Sequence, residues 1–368
     1  MSSEARLDRL AQQLASLEVD AFLVTDETNV RYLSGFTGDS SSLLITSAGT
    51  TVLSDGRYET QLAQQCPKLA TAIRPPDQTL VELTVEVLAA SPQRRVAIEA
   101  HHWTLAGFGK LRQACDSVQW SETTGVVEEL RMIKDANEIA ITRRAVEIAQ
   151  RAFASVRPML TDAMTERSVA HELEAKMRSL GAEGCSFAPI VAAGPAGALP
   201  HYRPSDLKLG DRTMGGEPTL LIDWGAKYEG YASDLTRTLH RPGASDRYRR
   251  AYEAVLEAQL AAIGTIGPGV KASAVDAVAR GVLARHGMVD AFKHGLGHGT
   301  GLQIHESPRM SASSTETLAA GMIITVEPGV YFAGEFGVRI EDDILVTDSG
   351  CEVLSDLPKG LEDSVWLL

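Results

Sequence analysis

The chain has 368 residues, is 44% apolar and carries a formal net charge of −13, so it is long enough for two domains with substantial cores. With an isoelectric point near 5.2 it is not built to neutralise phosphates, which excludes nucleic acid as an expected partner. No apolar run approaches the ~20 residues that cross a bilayer, and Cys66, Cys115, Cys185 and Cys351 lack the spacing of a zinc knuckle or a disulfide framework; a cytoplasmic protein without a membrane partner is expected.

The opening stretch MSSEARLDRLAQQLASLEVDAFLV reads as a polar amphipathic helix running into a strand, without the basic and then apolar layout of a signal peptide. The short apolar runs FLVTD, LLITSAG, TVLSDG and VAIEA end in turn formers and alternate with the helical patterns YETQLAQQC and LVELTVEVLAA, an α/β arrangement. Near residues 122–137 the pattern changes. Asp135 or Asn137 caps a long helix, and NEIAITRRAVEIAQRAFASVRPML keeps apolar positions at helical spacing. The boundary is placed here, giving a smaller α/β domain of residues 1–128 and a second domain of residues 129–368.

The second domain repeats itself. ASVRPMLTDAMTERSVAHELEAKMRSLGAEG and GTIGPGVKASAVDAVARGVLARHGMVD share a proline-containing turn, a capped helix and a closing glycine, Gly181 and Gly287, before strand-like sequence. Two copies are too few for a solenoid. The expectation is therefore an α+β domain of two duplicated halves about a pseudo-twofold axis, with the site between them.

TLLIDWGAKYEGYASDLTRTL, residues 219–239, reads as two strands about a turn at Lys227 to Gly230. A turn centred between Tyr228 and Glu229 sets Asp223 opposite Asp234 on one face, with Cβ atoms ~4.5–5.5 Å apart. Two carboxylates that close do not both ionise without a cation. GMIITVEPGVYFAGEFGVRIEDDILV, residues 321–346, repeats the device: Glu327 ends an apolar strand at a proline, and Glu341 lies beyond a glycine-rich connection. Arg339, two residues before Glu341 and on the same face, is a candidate structural partner for it.

HGLGHGTGLQIHE, residues 294–306, raises the rival reading of a phosphate cradle. It lacks the Walker pattern, and its glycine spacing is not followed by the βαβ unit and acidic residue of a dinucleotide site. Four carboxylates and one imidazole, from Asp223, Asp234, Glu327, Glu341 and His298, instead match two divalent ions in charge. Oxygen-rich coordination with one nitrogen suits Mn²⁺, Co²⁺, Fe²⁺ or Zn²⁺, the two ions lying ~3.5–4 Å apart and activating water between them.

GPAGALPHYRPSD, LIDWGAKYEGYASDLTRT, HGLGHGTGLQIHESP, TVEPGVY and GVRIEDD, in this order, resemble the motifs of the pita-bread metallopeptidases: prolidases, aminopeptidase P and methionine aminopeptidases, with the metal-free creatinases as relatives. NVRYLSGFTG and SDGRYETQ extend the resemblance to the smaller N-terminal domain of the Xaa-Pro peptidases, so that it covers nearly the whole chain. The resemblance implies the pita-bread fold, with Asp223, Asp234, His298, Glu327 and Glu341 as ligands of two divalent ions, Mn²⁺ first and Co²⁺, Zn²⁺ or Fe²⁺ as alternatives. It further implies that His201, His294 and His305 line the substrate site, that Arg339 stands beside the last ligand, and that Glu327 is both ligand and proton shuttle.

The implied activity is hydrolysis of the Xaa-Pro bond at the N-terminus of short proline-containing peptides, as a dipeptidase (prolidase) or, alternatively, as an aminopeptidase P on longer peptides. A homodimer is implied as well. A catalytically silent binding protein and a metal-independent amidinohydrolase are rivals on the same fold, and the complete ligand set speaks against both. Tyr202 stands where many relatives have glycine, and Ala196 and Gly197 where a polar pair is common; these departures touch the pocket rather than the ligands. His101, His102, His240 and His286 read as structural, and the glycines of residues 294–306 are expected to let backbone approach the ions.

Overall fold

The computed structural model describes residues 2–213 and 216–366. The chain divides into two compact units, residues 1–131 and 132–368. Among the described residues no helix is long and apolar enough to cross a membrane.

The first unit is built on a six-stranded sheet in the order Ala70–Arg74, Gly49–Asp55, Ser42–Thr46, Ala21–Val24, Arg95–Glu99, Gln119–Thr123. Ala21–Val24 is parallel to Arg95–Glu99 and antiparallel to Ser42–Thr46. It is buried along its whole length, as a strand covered on both faces must be. The core gathers Leu23, Leu44, Leu53, Val96, Ile98 and Leu111. The Arg131 guanidinium donates to Asn29 Oδ1 at 2.8 Å, which ties the last helix of this unit to its first strands and helices.

The second unit opens on the helix Ala136–Val156. Of the two candidate caps Asp135 is the one used: its carboxylate accepts from Asn137 N and Glu138 N, and Glu138 reaches back to Asp135 N, a capping box. The helix buries Ile148, Ala149, Ala152 and Phe153 toward the strand Thr219–Trp224. There Trp224 stacks on Phe153 at 4.5 Å and donates its indole N–H to Ala149 O at 2.9 Å.

The expected duplication is present. Ala136–Val156 and Glu166–Ser179, the latter followed by Gly181 at φ 105°, cover a hairpin of Thr219–Trp224 with Leu235–His240. Asp246–Ile263 and Ala272–Arg285, the latter followed by Gly287 at φ 68°, cover one of Ile323–Val326 with Asp342–Thr347. One apolar cluster stands behind each hairpin, and the polar faces of the hairpins meet.

They meet through backbone and through the buried guanidiniums of Arg237 and Arg339. Thr236 and Glu341 form an isolated antiparallel bridge, and Thr238 Oγ1 donates to Arg339 O while accepting from Arg339 N. Arg237, 2% exposed, uses all five of its guanidinium donors: on Thr236 O, Glu341 O, Asp342 Oδ1, Leu357 O and Pro358 O. Burial works to raise the pKa of Asp342, but Arg237 and Lys359 outweigh it and hold this carboxyl below its ordinary value. Removing one member of such a buried pair costs about 3–5 kcal/mol. Arg237→Met is therefore expected to lower the unfolding free energy of the second unit by about that amount in urea titration; a loss within ~1 kcal/mol contradicts the clamp.

Candidate metal centre

The first hairpin turns one residue later than the sequence suggests. Tyr228 pairs with Tyr231 and Lys227 with Ala232, so the turn is Glu229–Gly230, at φ 45° and 85°. Two successive positive φ values mark the tight turn favoured by twisted hairpins, and glycine in the second place makes it accessible. Asp223 consequently lies opposite Thr236 and not opposite Asp234. A displacement of two positions keeps the face, so Asp223 and Asp234 still point the same way, as diagonal neighbours rather than a direct pair.

The second hairpin opens where its acids stand. Val326 pairs with Asp342 and Gly329 with Arg339, and between them the ladder breaks at Glu327–Pro328 and Ile340–Glu341. Pro328 has no N–H to give to a ladder, and Glu341 N donates instead to Thr236 O of the other half at 3.2 Å. The side chain follows: Glu341 Oε2 accepts from Thr236 Oγ1 at 2.6 Å. Arg339 is not the partner of Glu341 that its position suggested. Its Nη2 donates to Asp223 Oδ2 at 2.5 Å, its Nη1 to Tyr331 Oη at 2.8 Å and its Nε to Thr236 Oγ1 at 3.1 Å, because the halves bring Asp223 nearer to the guanidinium than the neighbour in its own strand.

His298 lies on the short strand Gly297–Gly299, between Glu306–Met310 and Ile323–Val326. A Cβ on Gly297 would stand 2.1 Å from Thr325 O, and one on Gly299 2.1 Å from Ser307 O. These glycines thus admit neighbouring strand backbone beside His298. The His298 ring is oriented from behind: Nδ1 faces Gly299 O at 3.1 Å, and since a carbonyl only accepts, Nδ1 carries the proton and Nε2 has the lone pair. That lone pair looks toward Asp234 Oδ2 at 3.6 Å and Glu327 Oε1 at 3.5 Å. A ring N–H held by a backbone carbonyl is the usual support of a metal-binding imidazole.

The other expected site residues divide. His305 is exposed and sets its ring edge-on to His298, centroids 4.4 Å apart. His201 is also exposed, near enough to Asp223, His294 and His305 to act on their ionisation. His294 has both nitrogens engaged, Nδ1 with Gly295 O and Nε2 with the Tyr331 hydroxyl, each at 2.8 Å; it belongs to a chain running through Tyr331 and Arg339 to Asp223.

The electrostatics favour a bound cation, without which the acids take up protons. Burial raises the pKa of Asp234 and Glu341 well above the ordinary range, with mutual repulsion adding to it. Burial pushes Glu327 up to about 8, and raises Asp223 despite its pairing with Arg339. One arginine faces four acids. Asp223 Oδ1 is buried without a hydrogen-bond partner, and one atom from each of Asp234, His298 and Glu341 lies within 4.8 Å of the others. Oxygen donors in excess, one oriented nitrogen and an orphaned carboxylate oxygen fit divalent metal.

Sequence reasoning missed the groups behind the ligands. Thr236 donates to Glu341 and accepts from Arg339; Thr325 accepts from His298 N and stands 3.4 Å from Glu327 Oε1; Asp343 Oδ2 accepts from Asp234 N at 2.9 Å. Each lies two residues from an acid just beyond the end of its strand, so alternation alone marked them as facing the site.

Paired halves thus meet at buried acids and one imidazole, a donor set that fits divalent metal. The family model for metallopeptidase family M24 matches residues 140–348 and that for the creatinase/prolidase N-terminal domain residues 6–133. The chain belongs to metallopeptidase family M24, a family of divalent-metal peptidases. It is 35% identical over 356 residues to the uncharacterized peptidase YqhT of Bacillus subtilis, covering 97% of this chain and 99% of that one. Among solved structures it resembles a Xaa-Pro dipeptidase from Bacillus anthracis (34% identity, 98% and 99% of the two chains, TM-score 0.93) and an X-Pro aminopeptidase from Thermotoga maritima (32%, 99% and 100%, TM-score 0.88).

The acids give the metal-stripped protein a distinctive response to pH. Burial pushes Glu327 and Asp343 up to about 8 and His294 and His298 down to about 4. Between pH 6.5 and 8 the histidines are neutral in the fold and at most about half protonated in the unfolded chain, whereas each of the two carboxyls retains half or more of a proton that the unfolded chain has released. The unfolded state binds fewer protons in this window, so stability falls as pH rises. In excess chelator Tm should be lower at pH 8 than at pH 6.5; a Tm that climbs over that interval contradicts the burial of these acids.

Proposed function

We propose that the protein hydrolyses the bond between an N-terminal residue and a following proline in short peptides, with Xaa-Pro dipeptides as its main substrates. The observation that carries this reading is the buried set of four carboxylates around an imidazole whose lone pair is turned toward them, on a chain similar throughout its length to a Xaa-Pro dipeptidase. In this reading Asp223, Asp234, His298, Glu327 and Glu341 hold two divalent ions, whose charge offsets that of the acids. Mn²⁺ suits the oxygen-rich donors, with Co²⁺, Zn²⁺ and Fe²⁺ as alternatives. The active form is taken to be a cytoplasmic homodimer, on the resemblance to the family.

When bound, the metals supply Lewis acidity for the carbonyl and lower the pKa of water toward neutrality. The chain's own groups do the remaining work. Glu327, whose Oε1 stands 3.5 Å from His298 Nε2, accepts a proton from water and delivers it to the proline nitrogen as the C–N bond breaks. That nitrogen bears no hydrogen before cleavage, so it becomes a stable leaving group only when protonated. His201 and His305 are exposed beside the acids and donate to the carbonyl oxygen as negative charge develops on it. Arg339 holds Asp223 in place through its 2.5 Å bond, and His294, locked by Tyr331, forms the wall against which the prolyl ring rests.

A second reading, an aminopeptidase acting on longer Xaa-Pro peptides, draws on the similarity to the Thermotoga maritima X-Pro aminopeptidase. Xaa-Pro dipeptides and Xaa-Pro-Xaa tripeptides assayed side by side with Mn²⁺, Co²⁺ or Zn²⁺ separate the two. The dipeptidase reading expects kcat/KM to favour the dipeptide, a tripeptide preference supports the second, and inactivity on both sinks the proposal. Asp234→Asn should release most of the bound metal and reduce kcat by at least about 10³-fold; near-normal turnover would refute the assignment of Asp234.

A further inference from the structure

The segment that carries His201 is fastened by a carboxylate outside the group of acids. Glu166 opens the helix Glu166–Ser179 and is 0% exposed. Its Oε1 accepts from Ala193 N at 3.0 Å, and its Oε2 from Tyr202 Oη at 2.8 Å, Ser205 N at 3.0 Å and Ser205 Oγ at 2.6 Å. The backbone at this helix end joins in, Arg167 N donating to Ser205 O at 3.0 Å. A helix N-terminus favours the negative charge that these donors address, and hydrogen bonds to an ionised acceptor are the strong ones.

All of these bonds close on one loop. Ala193 and Ser205 lie on either side of His201 in the chain, and Tyr202 is its immediate neighbour, so a single carboxylate grips both flanks and the adjoining residue. The Tyr202 ring packs on Ile190, Ala192, Ala196 and Leu221, and Ile190 is the strand partner of Asp223. The body of the tyrosine is thus seated on the strands that deliver Asp223 while its hydroxyl reaches Glu166. Tyr202 is held at both its ring and its hydroxyl, and the residue before it is tied to that anchor.

We propose that Glu166 and Tyr202 are positioning residues for His201, fixing its imidazole over the carbonyl oxygen of the substrate through the loop that they pin. The inference rests on the role given to His201 under the proposed function. The tyrosine does not touch substrate; it acts through its neighbour. Misplacement of a catalytic group by about 1 Å can cost up to ~10² in rate, and loosening one hydrogen bond of several should cost less.

A double-mutant cycle tests this in the metal-loaded protein with a Xaa-Pro dipeptide. Tyr202→Phe removes only the hydroxyl and is expected to lower kcat about tenfold while KM and metal content stay within about twofold. In a His201→Ala background the same change should alter kcat by less than about twofold, since the group being positioned is gone. Equal losses in both backgrounds, or an unchanged kcat for Tyr202→Phe where His201→Ala lowers it, overturn the positioning role and leave the proposed function standing. Full activity of His201→Ala removes the role given to His201, and this inference with it. If Tyr202→Phe does not fold, Ser205→Ala loosens the same grip from the far side of His201; a kcat reduced by about threefold or more supports the proposal and an unchanged one overturns it.

Discussion

Four carboxylates buried where the two halves of one domain meet, with a single arginine among them, are the constraint on which the rest of the second unit depends. Left to themselves they repel and must take up protons: desolvation raises all four, and Glu327 reaches about 8. Arg339 relieves Asp223 directly through Nη2. What remains is a concentration of negative potential near exposed His201 and His305, and divalent metal matches it in sign and donor preference.

The fold is arranged to maintain this unfavourable juxtaposition. Each half contributes a hairpin stiffened by two helices and an apolar cluster, so Asp223 stands on a strand and Asp234, Glu327 and Glu341 directly beside strand ends. Arg237 fastens the hairpins together through the backbone carbonyls of Thr236 and Glu341, and the Thr236 hydroxyl passes between Glu341 and Arg339. Strain created by like charges is thereby carried by packing and by hydrogen bonds among groups that never meet substrate. Glu166 repeats the principle for the loop of His201, with four donors on one buried carboxylate.

Much of this was legible in the sequence, and the parts that were not share a cause. Asp223, Asp234, Glu327 and Glu341 announced themselves as acids in or beside apolar strands, and the duplicated helix-and-strand pattern announced the two halves. Local signals decided these, since they concern residues within one element. The register of the first hairpin was missed by two positions because Glu229 accepts a positive φ beside Gly230, which moved the turn without changing its composition. The partner of Arg339 was missed because it comes from the other half, more than a hundred residues away in the chain, where no periodicity reaches. In EDD the three acids have three fates: Glu341 faces the centre, Asp342 pairs with Arg237 and Lys359 behind it, and Asp343 supports Asp234 N. Alternation separates the middle one from its neighbours, but only the folded contacts tell the first from the third.

The central claim is that the centre exchanges protons for two divalent cations. Titration calorimetry with Mn²⁺ at pH 7, in two buffers of different ionisation enthalpy, measures both quantities at once. The account predicts two ions bound per chain with net release of protons, because a carboxyl with its pKa near 8 is protonated before binding and must be ionised to ligate. Binding of a single ion, or of two ions without proton release, would contradict it.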